Sequence, residues 1–228
     1  MNGTHLSVVY FCLHSIFLAV LTKISLEVNM ELIESKTLNN LAKAYAGECQ
    51  ARTRYEFMEY GARKQGYACL AEIIDKVAYN EFNHARMFYT YIQQASDKVI
   101  ENIEVCAGYP FKEKWDLTEN LRIASEDERL EAYDIYPAFA KTAKEEGFKE
   151  IERLFLMVAD VEKCHSMLFG QLFEQMKNGT MYKRKTAIKW KCAGCGYEGT
   201  TKQAPDECPL CKAKQGFFML HIEDGSDK

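Results

Sequence analysis

Basic charge is scarce in this chain: 29 Lys and Arg stand against 33 Asp and Glu, for a formal net charge of −4. The densest basic run, Lys183-Arg184-Lys185, is three residues long and reads as a solvated linker. A nucleic-acid surface, which needs a basic stripe or patch, is therefore excluded. Long apolar runs are also scarce. The extended one, Leu6 to Leu21, has sixteen residues, short of the roughly twenty that span a membrane. It has neither a basic segment before it nor an Ala-x-Ala site after it, so no stable membrane association is expected. Met30-Glu31-Leu32-Ile33 reads as the start of the first domain, and residues 1–29 are expected to be an upstream extension, either a mis-assigned start or disordered. A disulfide framework is lacking too. The nine cysteines are odd in number, which points to a reducing, cytoplasmic compartment.

What the cysteines do supply is concentrated at one end. Cys192-Ala193-Gly194-Cys195 and Cys208-Pro209-Leu210-Cys211 are two Cys-x-x-Cys pairs separated by twelve residues, a strong four-sulfur signature that suits zinc or iron equally. Trp190, Tyr197, Phe217 and Phe218 are expected to form a small core around that metal, without which so short a segment would hardly fold. The remaining Cys12, Cys49, Cys69, Cys106 and Cys164 share no spacing. Cys49 and Cys164 flank candidate ligands but point away from them along a helix, so buried apolar packing is expected for both. His5, His14 and His221 have no partner at ligand spacing and receive no role.

The other two histidines sit in Glu-x-x-His pairs, Glu81 with His84 and Glu162 with His165. Leu70, Ile73, Val77, Glu81, His84, Phe88 and Ile92 form one helical face at three- and four-residue steps, and Ile151, Phe155, Val158, Glu162, His165, Phe169, Leu172 and Met176 form another. Both pairs should therefore point into a core. Leu38, Leu41 and Tyr45 carry a third stripe into Glu48 and on to Tyr55; Leu121 and Ala124 carry a fourth into Glu128 and Glu131, then Ile135 and Phe139. Single glutamates from two helices with Glu-x-x-His from two others make the ligand inventory of a di-iron or di-manganese carboxylate bundle, here with one acid left over. Five ionised carboxylates in one low-dielectric space would cost several kcal/mol each, and two divalent cations would offset most of that.

An internal repeat supports the layout. Ala62-Arg63-Lys64-Gln65-Gly66-Tyr67 resembles Ala143-Lys144-Glu145-Glu146-Gly147-Phe148, and the step from glycine to the following glutamate is fifteen residues in both. Each glycine should end one helix in a left-handed cap and start an antiparallel one. The stretch from about Ala95 to Trp115 is then a long crossover. Counted backwards, Glu48 to Gly66 is eighteen residues but Glu128 to Gly147 is nineteen. The extra residue predicts a π-bulge near the surplus acid, or a kink around Pro137.

These motifs together resemble the rubrerythrin family: Ala46-Gly47-Glu48-Cys49-Gln50-Ala51-Arg52, Asn80-Glu81-Phe82-Asn83-His84-Ala85, Glu128-Arg129-Leu130-Glu131 with Tyr136-Pro137, Glu162-Lys163-Cys164-His165, and a tail from Trp190 to Leu220 like the family's rubredoxin module. The resemblance implies an all-α four-helix bundle, ferritin-like with one long crossover, followed by a small C-terminal rubredoxin-like β domain. The expected boundaries are extension 1–29, bundle 30–178, linker 179–186, rubredoxin-like domain 187–221 and tail 222–228. It also implies a diiron centre of the Fe–O–Fe type and one mononuclear Fe(SCys)4 centre. Glu81 and Glu162 would bridge the irons, Glu48, Glu128 and Glu131 would be further carboxylate ligands, and His165 would hold one iron. His84 and Glu131 would compete for the other, and Tyr55 and Tyr136 would hydrogen-bond ligand carboxylates. Cys192, Cys195, Cys208 and Cys211 would hold the mononuclear, four-sulfur iron.

The implied activity is reduction of hydrogen peroxide to water in oxidative-stress defence. The electrons would come from an external NAD(P)H-dependent reductase or a rubredoxin, and head-to-tail homodimers would bring one subunit's rubredoxin iron near the other's diiron site. Two other readings of the residues stay open here. One is a ferroxidase or iron-handling protein on the same bundle; the other is a non-redox helical scaffold with a structural zinc ribbon.

Overall fold

The computed structural model describes residues 30–112 and 114–222, and the expectation for residues 1–29 lies outside them. After a short 3-10 turn at Leu32–Glu34 come α1 (Lys36–Lys64), α2 (Ala68–Gln93), α3 (Leu117–Leu130), α4 (Tyr136–Glu145) and α5 (Lys149–Lys177). A π-helical turn, Glu131–Ile135, joins α3 to α4, so the two make one interrupted rod and the bundle has four rods. Among the described residues no helix is long and apolar enough to cross a membrane.

Local chemistry sets the ends. Ser35 accepts a hydrogen bond from the Leu38 amide and caps α1. Glu146, from the far end of α4, accepts from the Lys36 and Thr37 amides at 3.1 and 2.9 Å, so a carboxylate sits at the positive end of the helix. Gly66 and Gly147 have φ of +87° and +90°. The amide pairs that close the turns, Tyr67 to Ala62 with Gly66 to Arg63, and Phe148 to Ala143 with Gly147 to Lys144, are the two bonds of a Schellman cap. The predicted hairpins are therefore both present, with the crossover between α2 and α3.

The π turn accounts for the extra residue counted between Glu128 and Gly147. It also corrects one expectation. An uninterrupted α period puts Ile135 in the core, but the inserted residue rotates it outward to 38% exposed and turns Tyr136 in, to 1%. Pro137 follows at the first turn of α4, where its missing amide costs least.

Two apolar cores fill the bundle. One gathers Tyr55, Met58, Leu70, Ile74, Leu121, Phe169 and Leu172; the other gathers Leu41, Phe88, Tyr136, Ile151, Phe155 and Val158. Each buried Phe, Leu or Ile side chain contributes about 1.5–3 kcal/mol relative to exposure. The candidate ligands lie along the helices between these two cores, so apolar packing on both sides holds the polar layer in place.

The chain ends in an antiparallel hairpin, β1 (Lys183–Lys191) with β2 (Glu198–Gln203), and two cysteine loops. Trp190, Cys192, Ala204, Cys208 and Phe218 form its core. Phe217 is 40% exposed and does not join that buried core as expected; its ring lies over Gly194 at the rim of the first cysteine loop, while Phe218 enters. The Lys183-Arg184-Lys185 run is likewise no free linker: β1 begins there, and Arg184 donates to the carbonyls of Lys183 and Thr180. The module packs on its own chain's bundle. A Cβ on Gly216 would lie 1.7 Å from the Gly66 carbonyl oxygen, Tyr182 stacks on Tyr67, and Gln175 donates to the His221 carbonyl at 2.8 Å.

Candidate metal centres

Glu48 from α1, Glu81 and His84 from α2, Glu128 from α3, and Glu162 and His165 from α5 all turn inward, none more than 5% exposed. They form two sets. Glu48, Glu81, His84 and Glu162 bring ligand atoms within 4.8 Å of one another, and Glu81, Glu128, Glu162 and His165 do the same. Glu81 and Glu162 belong to both, and each divides its oxygens. Nδ1 of His84 lies 2.9 Å from Glu81 Oε2 and 2.9 Å from Glu162 Oε1. Nδ1 of His165 lies 3.1 Å from Glu81 Oε1 and 2.6 Å from Glu162 Oε2. The unshared carboxylates complete the sets, Glu48 Oε2 at 3.7 Å from His84 and Glu128 Oε2 at 3.9 Å from His165.

The sets fit a pair of cations. Glu48 Oε2, Glu81 Oε1, Glu128 Oε2, both oxygens of Glu162 and Nδ1 of His165 are buried without a well-aligned hydrogen bond, a concentration of polar atoms that a folded interior does not tolerate without positive charge. The electrostatics agree. Burial, then the charges of Glu162 and Glu81, push Glu48 up to about 8 against the opposing hydrogen bond from His84. Burial followed by neighbouring carboxylates holds Glu128 and Glu131 well above the usual range. Burial opposes the charge on His84, but hydrogen bonds to Glu162, Glu48 and Glu81 outweigh it and raise the ring to about 12. For His165, burial is likewise outweighed by Glu162 and Glu81, to about 9. The imidazoles thus hold protons where the carboxylates call for cations, and metal loading must release them.

Tyr55 and Tyr136 each donate to an unshared carboxylate, Tyr55 to Glu128 Oε1 and Tyr136 to Glu48 Oε1. Burial first, and then the facing carboxylates, push both phenols well above their ordinary pKa and keep them protonated donors. Tyr136 reaches Glu48 because of the π turn. Glu131 departs from the rest: it is half-buried, belongs to neither set, and its Oε1 lies over Gly47, 3.9 Å from where a side chain there would begin. Two contacts carried no sequence expectation. Nδ2 of Asn80 lies 3.1 Å from Nε2 of His165, and Gly47 leaves the space beside Glu48 that Glu131 approaches. Position next to a candidate ligand is the one signal each offers.

In the module, Cys192 Sγ lies 3.8 Å from Cys211 Sγ, and Cys195 Sγ lies 3.6 Å from Cys208 Sγ. Four metal–sulfur bonds of about 2.3 Å make a tetrahedron with edges of about 3.8 Å, so these sulfurs fit one ion and no disulfide. Burial raises the Cys208 thiol, but the amides of Cys211 and Leu210 outweigh it and bring it down to about 7. The loops are alike: Gly196 donates to the Cys192 carbonyl and Lys212 to the Cys208 carbonyl, both at positive φ. Of the other cysteines, Cys69 is buried and Cys49 half-buried, but Cys164 is exposed, against the expectation of buried packing, because its face of α5 carries no neighbouring helix. Cys12 lies outside the described residues.

A family model described as rubrerythrin matches residues 39–173 and 119–192, and one described as the rubrerythrin rubredoxin-like domain matches residues 190–219. A rubrerythrin of Clostridium perfringens is 39% identical over 189 residues, covering 83% of this chain and 96% of that protein. A rubrerythrin of Porphyromonas gingivalis is 38% identical over 192 residues, covering 84% and 93%. Among solved structures, nigerythrin in a mixed-valence state has a TM-score of 0.54 at 25% identity, covering 82% of this chain and 90% of its own. A Desulfovibrio desulfuricans bacterioferritin, with a TM-score of 0.53 at 23% identity over 64% of this chain and 82% of its own, shares the ferritin-like fold of the helical part.

Proposed function

The chain belongs to the rubrerythrin family, and from that premise we propose that it is a non-haem diiron peroxidase, reducing hydrogen peroxide to water in cytoplasmic oxidative-stress defence. The observation that carries the reading is the pair of four-ligand sets joined through Glu81 and Glu162, with a separate four-sulfur centre on the same chain. Glu48 and His84 would hold one iron, Glu128 and His165 the other, and the two shared carboxylates both. Cys192, Cys195, Cys208 and Cys211 would hold a third iron. When bound, the iron pair supplies Lewis acidity and two electrons to the oxygen–oxygen bond of peroxide, and the four-sulfur iron refills it one electron at a time.

The chain's own residues govern the rest. Tyr136 and Tyr55 fix the free oxygens of Glu48 and Glu128 and keep protons within the site. Glu131, on the π turn over Gly47, stands ready on the Glu48 side to exchange with His84. A neutral imidazole suits the reduced site, and an added carboxylate offsets the extra charge of the oxidised one. An external NAD(P)H-linked reductase or a rubredoxin is the proposed electron source, and a homodimer or larger assembly the proposed state. The exposed apolar residues Leu156, Met157 and Val161 on α5 support such an assembly.

The test is a divided assay. Cys192→Ser with Cys195→Ser should abolish NAD(P)H-coupled peroxide turnover while leaving single-turnover oxidation of the reduced bundle by peroxide. Metal analysis of anaerobically prepared protein should find roughly three irons per chain. A single zinc per chain with an empty bundle would overturn the reading in favour of a scaffold, and faster oxidation by oxygen than by peroxide would favour iron handling.

A further inference from the structure

The two Glu-x-x-His helices differ in the residue that precedes the glutamate. Asn80-Glu81-x-x-His84 on α2 corresponds to Val161-Glu162-x-x-His165 on α5. Asn80 reaches across to Nε2 of His165, whereas at the equivalent place before Glu162 the chain has a valine with no polar atom. His84 is held through Nδ1 by Glu81, Glu162 and Glu48, and among the described residues no hydrogen bond reaches its Nε2. One ring is held at both nitrogens, the other at one.

The chemistry of the contact follows from the ring. Nδ1 of His165 faces the carboxylates, and a nitrogen that is to bind a metal must be bare, so the ring proton sits on Nε2, which can only donate. Its partner must then accept: Nδ2 of Asn80 is the atom that faces the ring in the metal-free site, and a half-turn of the amide brings the carbonyl oxygen to the same place when the ring proton moves to Nε2. The contact lies in a cleft of about 430 Å³ between bundle and module, where Val77, Leu168 and Leu220 line the walls beside Asn80 and His165.

We propose that Asn80 is a positioning residue that makes His165 the fixed imidazole of the site, and that Val161, offering no acceptor at the equivalent position, leaves His84 free to swing out. Glu131 approaches over Gly47, next to Glu48, and so stands on the side of the unanchored ring. The proposal rests on the dimetal reading of the bundle and adds to it the residue that holds His165 in place.

The test uses the full chain, labelled with ¹⁵N-histidine and loaded with zinc, so that peroxide activity plays no part. One slowly exchanging Nε2–H is expected, from His165. Asn80→Val should speed its exchange at least ~10-fold and weaken zinc binding to the bundle by roughly 10–100-fold in chelator competition. Asn80→Asp, which keeps an acceptor, should retain the protected proton. Val161→Asn should add a second one, from His84. Unchanged protection in Asn80→Val, or equal protection of both rings in the parent protein, overturns the proposal. If Asn80→Val does not fold, the Asn80→Asp and Val161→Asn spectra decide it: loss of the His165 signal in the first, or no new signal in the second, overturns it. A bundle that takes up no zinc overturns the dimetal reading itself, and stoichiometry reveals that outcome separately.

Discussion

The sulfur module draws its four ligands from two short loops, Cys192–Cys195 and Cys208–Cys211, and surrounds them with three other buried residues, Trp190, Ala204 and Phe218. The bundle draws its six from four rods, between Glu48 and His165, and flanks them with two apolar cores. In the module the ion takes the place of a core. In the bundle the core exists without the ions, and the ions relieve a repulsion that the core has imposed. A metal can thus organise a fold or be organised by one, and this chain does both within one molecule.

Removing the metals should separate the two most sharply. A chelator strong enough to strip both centres is expected to unfold the module, since a structural four-sulfur ion contributes on the order of 10–16 kcal/mol of apparent binding energy to folding, while α1 to α5 stay helical. Far-UV circular dichroism with NMR of residues 183–222 checks this; a module that keeps its dispersed signals when stripped would erase the contrast. Within the bundle, shared and unshared carboxylates should differ next most. Glu162→Ala should lower uptake at both positions, whereas Glu128→Ala should spare the position served by Glu48 and His84, a difference read as metal stoichiometry. Equal losses would mean that Glu162 is not shared.

The stripped bundle should also be pH-sensitive. The raised pKa of His165, about 9, means that its contribution to stability is complete below about 6.5 and lost as pH rises through 9. Glu48, raised to about 8, acts in the same direction, contributing fully below about 4.5 and losing that contribution as pH rises through 8. The melting temperature of stripped protein should therefore fall between pH 6 and 9, and that of loaded protein should stay nearly flat because the cations replace the protons. A rising profile would contradict the assignment. Smaller still, Tyr136→Phe removes a hydrogen bond to a charged partner and should cost about 1.5–3 kcal/mol in denaturant titration of the bundle. The least effect belongs to the module: Lys212 has a φ of +64°, and Lys212→Gly should stabilise the loaded domain by about 1 kcal/mol.

Much of this was legible before any coordinates. Three stripes, the fourth as far as Glu128, both glycine caps and the cysteine loops lie where their spacing puts them, and of the two readings of the surplus residue between Glu128 and Gly147, a π turn or a kink at Pro137, the structure has the π turn. The errors share a cause. Ile135 leaves the core because a 3.6-residue period does not carry through a turn with a different one. Phe217 and Cys164 were placed inside because aromatic or small apolar character favours burial without saying which neighbour is available to cover the residue. Asn80 offers only its place beside Glu81 as a signal, since its partner is on another helix, 85 residues away in sequence.

The sequence by itself determined which residues share a helical face and which cysteines share a loop, because such relations depend only on the pitch of a helix and the reach of a few bonds. Tertiary structure alone decided that each oxygen of Glu81 and Glu162 serves a different half of the site, that Glu131 stands apart over Gly47, and that one histidine is anchored while its counterpart is not. Those are relations between helices. They depend on how the side chains of two apolar cores pack together, which no spacing along a single chain records.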